Sequence, residues 1–292
     1  MSYFESLVQR YQPPRLPHLL ERQQYIQHER QGVTSLLISS DELSQQDNED
    51  LLRFAFVHYA AVGFLNESLA EQLALECEPV DSLTAEDIHC IVLNSMTGEL
   101  LAYCTIKKPE NYRGLMGDRS RPLLATENAW GRAAFRNIPW LEFLPVRQVR
   151  EVGRVVRNGW LRKNDPLAGR SVSEMLLAAF EYLQTPGSDA VAIIGDGEKN
   201  IQIRNLLALG VNYCFAEVGE RLLPPDHLYY PRYFADDLLP FAFRLSDMDC
   251  SALAWFNQAL EMDNDTWLML RTERMAQVTE KLSHLTKELI TA

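Results

Sequence analysis

Apolar and polar positions divide the chain into three stretches. Residues 1–48 are interrupted by Pro13, Pro14 and Pro17, and their SSDELSQQDNED segment is polar and turn-forming, which predicts an arm. A helix is expected from Asn48 or Asp50, with acids at its start. Its LLRFAFVHYAAVGFL run is apolar on nearly every face, so it should be buried. A second helix is expected near ESLAEQLALEC, ending before Pro79. DIHCIVL and ELLAYCTI are two β-prone runs joined by a turn at Gly98, the clearest hairpin in the chain. VREVGRVVRNGWL reads as a strand with a glycine inside it. SVSEMLLAAFEYLQ then reads as a helix whose Ser171 and Glu174 fit a capping box. DAVAII is a short apolar strand of the parallel kind, and NIQIRNLLALG is a helix stopping at Gly210. VNYCFAEV is a further strand, and the proline-bearing PRYFADDLLPFAFRL suggests a sheet edge. From Ser246 the period is helical.

The expected class is therefore α/β, more closely α+β: a mixed central sheet flanked by helices. The expected divisions are an N-terminal arm over 1–48, a central domain over 49–245 and a C-terminal helical extension over 246–292. Residues 107–145 are long, irregular and arginine-rich, which suits a lid or binding loop.

With 292 residues, 47% of them hydrophobic, the chain can bury a large core. No apolar signal segment opens it and no run of 18 apolar residues occurs, so a cytoplasmic setting without a membrane span is expected. The five cysteines are scattered and the six histidines lack ligand spacing, so reduced thiols and no metal site are expected. A net charge of −12 argues against general nucleic-acid binding. The charge is uneven: residues 107–170 hold 14 Lys/Arg against six acids, which makes that segment +8 and leaves −20 elsewhere. A positive middle suits a phosphorylated cofactor or an acidic partner. It equally suits a solvated surface balanced by acidic neighbours.

Three pieces, in this order, resemble the GNAT superfamily: RFAFVHYAAVGFL, the hairpin IVLNSMTGELLAYCTI, and VREVGRVV, whose Glu151 and Arg154 match an E-x-x-R signature strand. Within that superfamily the likeness is to acyl-homoserine-lactone synthases and N-acyl amino acid synthases, over roughly residues 50–245. The resemblance implies a GNAT-like sheet and transfer of an acyl group from a thioester to an amine. The donor would be acyl-CoA or a phosphopantetheine-linked acyl carrier protein, and the acceptor an amino acid, peptide or natural-product intermediate. Two departures turn it away from acetyl transfer and toward a longer chain. The turn DPLAGRS keeps Gly169 but has Ser171 at the second small position, and Leu206 stands where a general-acid tyrosine is often found. A lactone synthase and a non-catalytic scaffold that binds an acyl carrier remain alternatives.

Glu151 is a carboxylate on an apolar strand, where burial would raise its pKa. It is read as general base or anchor for the acceptor ammonium, or else as an arginine's ion-pair partner. On a regular strand Glu151 and Arg154 face opposite ways, so joint action needs an irregularity. Gly153 marks the expected bulge, whose backbone N–H would bind the thioester carbonyl, unless the glycine serves only close packing. Arg154 would bind an acceptor carboxylate or form a structural ion pair. Gly169, Arg170 and Ser171, ahead of a capped helix, would hold the donor's phosphates or merely cap the helix. Arg157, Arg162, Lys163 and Arg170 would dock an acidic carrier protein. Phe54, Phe56, Trp130, Phe135, Trp140, Phe143 and Trp160 are candidates for an apolar acyl tunnel, or for core.

Overall fold

The structure, a computed structural model, describes residues 1–22, 26–109, 113–162, 165–217, 221–234 and 238–291. Of Ile26, Asp81, Lys281 and residues 283–291 only the backbone is described. In chain order the main elements are α1 (Tyr3–Arg10), β1 (Ile26–Arg30), β2 (Val33–Ser39), α2 (Gln45–Ala61), α3 (Glu67–Gln72), β3 (Ile88–Asn94) and β4 (Leu100–Lys107). Then follow α4 (Ala125–Trp130), α5 (Pro139–Glu142), β5 (Val149–Arg157), α6 (Pro166–Leu183), β6 (Ala192–Glu198) and α7 (Arg204–Ala208). The last are β7 (Cys214–Phe215), α8 (Tyr230–Tyr233), β8 (Leu238–Arg244), α9 (Cys250–Leu260) and α10 (Asn264–Thr291).

The eight strands form one sheet in the order β1-β2-β3-β4-β5-β6-β8-β7. Every neighbouring pair is antiparallel except β5 and β6, which α6 connects in parallel. One face packs under α6, α7, α9 and α10 around Met175, Phe180, Phe243 and Trp267. The other face carries α1 and α2 around Phe54, Phe56 and Tyr103. Residues of the 107–145 stretch add a third cluster over β5, β6 and β8, centred on Trp130, Phe135 and Ile194. This is the expected mixed sheet flanked by helices, with a helical C-terminal part. Among the described residues no helix is long and apolar enough to cross a membrane.

Several expectations need correction. Residues 26–39, placed in an arm, supply two strands instead: β2 is buried along its whole length and pairs with β3 over seven residues. The helix expected from Asn48 or Asp50 starts earlier, at Gln45, because Ser44 caps it and Asp47 completes a capping box. Ser171 and Glu174 do not cap α6. Asp165 does, through Leu167 N–H at 2.9 Å, and Pro166 opens the helix. A proline at the first helical position with an aspartate before it outcompetes the later pair. The proline-bearing strand β8 is internal, and the two-residue β7 is the edge.

Candidate active site

β5 and β6 pair only at Val149–Ala192, Arg150–Ile193 and Glu151–Ile194. Beyond Glu151 they separate, and two cavities adjoin the gap, both bordered by Val152 and Asp196. The irregularity lies one residue beyond the expected Gly153. Tyr103 opposes Val156 and Thr105 opposes Gly153, so Arg154 and Val155 together face the single residue Cys104. Arg154 has φ +54°, a left-handed conformation that costs a non-glycine residue about 1 kcal/mol. The bulge turns Arg154 onto the face that already holds Glu151, and both border a cavity of about 270 Å³.

In that chamber Glu151 is 6% exposed. It accepts hydrogen bonds from Ala125 N–H (3.1 Å), from Thr126 N–H and from the Thr126 hydroxyl (2.5 Å). It therefore tethers the start of α4, and its partner is a helix rather than an arginine. Burial raises its pKa, opposed by the Thr126 donors and then by Lys107. A carboxylate offers about four lone-pair positions, so three donors leave room for one more. Arg154 is ion-paired, as the structural alternative expected. Its Nε and Nη2 donate to Glu78 Oε2 at 2.8 and 2.6 Å, and Nη2 also reaches Ser82 Oγ at 2.9 Å. Burial disfavours the cation, yet Glu78 and the neighbouring tyrosines hold the guanidinium pKa above its usual value.

Sequence reasoning missed the rest of the chamber. Arg232 is ion-paired to Asp196 at 2.8 Å and lies over the Tyr59 ring. Burial, followed by the nearby carboxylates Glu78 and Asp196, raises the pKa of Tyr229 and Tyr233, so both stay neutral donors. Lys107 sits directly across the ladder from Glu151. Burial and then Arg154 depress its ammonium pKa, and among the described residues no carboxylate lies within 4 Å of it. One usable signal existed: Asp196 lies near the carboxyl end of β6, just past its parallel pairing with β5, and ligands collect at such carboxyl ends.

The second cavity, of about 440 Å³, runs between α6 and the separated strands. Met175, Leu176, Ala179, Phe180, Phe241 and Phe243 make its deep wall apolar. Leu206 borders it too. None of the seven aromatics proposed as tunnel residues does. Phe54, Phe56, Trp130 and Phe135 are core, Trp140 packs beside the third cluster, and Phe143 and Trp160 are exposed. Arg157 and Gly169 border this cavity. Arg170 and Ser171 do not. They lie in the second turn of α6, buried, and Arg170 points into the joint between α9 and α10. There it donates to Leu260 O (2.6 Å), Met262 O (2.8 Å) and Asn264 Oδ1 (3.0 Å). Ser171 donates to Ala168 O within its own helix. Arg162 is exposed, and Lys163 lies outside the described residues.

Solved structures of acyl-transferring enzymes are similar to this chain. A CoA-dependent acyl-homoserine lactone synthase, BjaI, solved with MTA, shares 12% identity at a TM-score of 0.47, over 77% of this chain and 88% of that one. The AHL synthase LasI shares 12% at 0.43, over 76% and 94%. A GCN5-related N-acetyltransferase from Brucella melitensis shares 12% at 0.40, over 86% and 90%. No protein-family model and no curated protein sequence matches the chain.

Proposed function

We propose that the protein is an N-acyltransferase that moves an acyl group from a thioester to an amine. One observation carries the reading: an apolar cavity and a charged chamber both border the gap between β5 and β6, and they share Val152 and Asp196. The thioester would lie in the gap, beside strand β5 where it has no β6 partner. The acyl chain would run into the apolar cavity, whose volume of about 440 Å³ suits a chain longer than acetyl, and the amine would wait in the chamber.

The chemistry then divides among this chain's residues. Glu151 accepts a proton from the acceptor ammonium with its remaining lone pair, at a pKa raised by burial. Lys107 attracts an acceptor carboxylate, a role expected of Arg154, whose fork is already held by Glu78. The amine attacks the carbonyl carbon, the C–N bond forms and the C–S bond breaks; of the two protons the ammonium loses, one passes to the departing thiolate and the other leaves from Glu151 to solvent. Backbone N–H at the bulge, next to Gly153, steadies the oxyanion. The donor is acyl-CoA or a carrier-linked phosphopantetheine, with Arg157 and Arg162 on the side a carrier would approach, in a cytoplasmic setting.

A second reading has one observation in its favour. Both Glu151 and Arg154 already have protein partners, as in a scaffold that binds a thioester without turning it over. Thiol release separates the two. Acyl-CoA and acyl-carrier donors of graded length are offered with amino acids, peptides or S-adenosylmethionine. Amine-dependent release supports the transferase, and lactone formation from S-adenosylmethionine would redirect it to a lactone synthase. Tight donor binding without release for any amine would favour the scaffold.

A further inference from the structure

Three arginines from three separate elements border the apolar cavity, Arg157 exposed and Arg204 and Arg271 half-buried. Arg157 ends β5, Arg204 begins α7 and Arg271 comes from α10. Among the described residues no carboxylate lies within 4 Å of any of them. Arg204 Nε is buried without a hydrogen-bond acceptor. Among the described residues Arg271 reaches only Asn205 Oδ1, at 3.5 Å. Its guanidinium pKa is lowered by burial first, and then by the positive charge of Arg204 and Arg157. Like charges gathered in a partly buried place without a counter-ion are costly.

Two acids on the same cavity do not answer them. Asp165 caps α6, and Asp196 is paired with Arg232. The Asp165 cap also places a carboxylate at the N-terminus of α6, where an incoming phosphate would otherwise find free N–H groups. Gly169 gives Arg271 its seat. A Cβ there would stand 3.4 Å from the guanidinium carbon, so a larger side chain would crowd the arginine.

We propose that Arg157, Arg204 and Arg271 form a phosphate-binding site beside the donor cavity, which makes α10 part of the donor site. This rests on the thioester reading above for the identity of the ligand, a phosphorylated thiol carrier. The guanidinium fork matches phosphate oxygens in pairs, and three forks suit a group with several phosphate oxygens.

Calorimetry on the full chain tests it, with CoA, 4′-phosphopantetheine, pantetheine and inorganic pyrophosphate as probes. CoA should bind at least about tenfold tighter than pantetheine, which lacks phosphate, and the advantage should shrink with salt. R271Q and R204Q should each weaken CoA about tenfold and abolish pyrophosphate binding while leaving pantetheine unchanged. R271K should recover part of the CoA affinity, and matched thermal midpoints show that the fold is intact. If 4′-phosphopantetheine equals CoA, one phosphate suffices and a carrier-linked arm is the source. If it drops to the pantetheine level, the other phosphates of CoA are. Equal wild-type affinity for CoA and pantetheine would overturn the site, as would wild-type CoA binding in both glutamine variants. Pyrophosphate binding lost in R271Q, with neither CoA nor pantetheine bound by wild type, would uphold the site and overturn the thioester reading.

Discussion

Replacing Glu78 by leucine should destabilise the protein by about 3–5 kcal/mol, because it strands the Arg154 guanidinium without its counter-charge. Glu78 is 4% exposed and Arg154 8%. The two bonds of 2.8 and 2.6 Å to Glu78 Oε2 are replaced only by the weaker hold of Ser82 and Thr105. Against a typical total of about 5–15 kcal/mol, that loss is a large fraction. With a urea dependence of about 3 kcal/mol/M for a chain this long, the midpoint should fall by about 1–1.7 M. The cost belongs to the orphaned charge rather than to the lost pair. Adding Arg154→Met should therefore return most of it, since apolar side chains of similar volume often replace a buried pair without net loss. Urea unfolding of the two single variants and the double variant completes the cycle. A loss under about 1 kcal/mol for Glu78→Leu would refute the burial argument. A double variant as unstable as the single would refute the orphaned-charge argument.

Glu151→Gln should lower turnover strongly and also cost about 1–3 kcal/mol, because an amide nitrogen then faces one of the donors at the start of α4. Turnover near wild type in that variant would remove Glu151 from the chemistry. Arg170→Met should cost about 2–4 kcal/mol by freeing the carbonyls of Leu260 and Met262, yet leave CoA affinity unchanged, a contrast that calorimetry on the folded variant reads directly. His58 donates to Phe54 O and accepts from Gly159 N–H, and burial lowers its pKa to about 4. The unfolded chain, with an ordinary value near 6.5, therefore binds more protons between those limits. About 3 kcal/mol of stability is present above pH 6.5 and lost as pH falls toward 4. Urea midpoints across that range should show the slope, and His58→Gln should flatten it; an unchanged slope would clear His58.

The elements set by local period were legible. The hairpin β3–β4, the all-round apolar α2 and the β5–α6–β6 unit follow from residues close in the chain. β1 and β2 were not, because the prolines and polar residues around them obscured the short apolar run after Gly32. The cap of α6 was read six residues late, at Ser171, although Asp165 and Pro166 held the stronger signal. The site was legible in its strand and not in its partners. An irregularity near Gly153 could be expected, but Arg154 takes the left-handed conformation, held by Glu78, which is 76 residues away in the chain. Arg271 and Arg204 meet Arg157 only through α10 and α7, and nothing in their local spacing announces it.

The three-residue contact between β5 and β6 has a mechanical consequence. It is a seam between two antiparallel half-sheets, each drawn from one continuous stretch of chain: β1 to β5, and β6 to β8. Each half can zip from near neighbours, and the seam closes only when α6 has crossed over. In the finished protein the same seam is the natural line of flexure, with few ladder bonds resisting it. A ligand spanning the gap would act as a splint across it. Donor binding should then slow hydrogen exchange in Val149–Glu151 and Ala192–Ile194 more than in the ladders on either side.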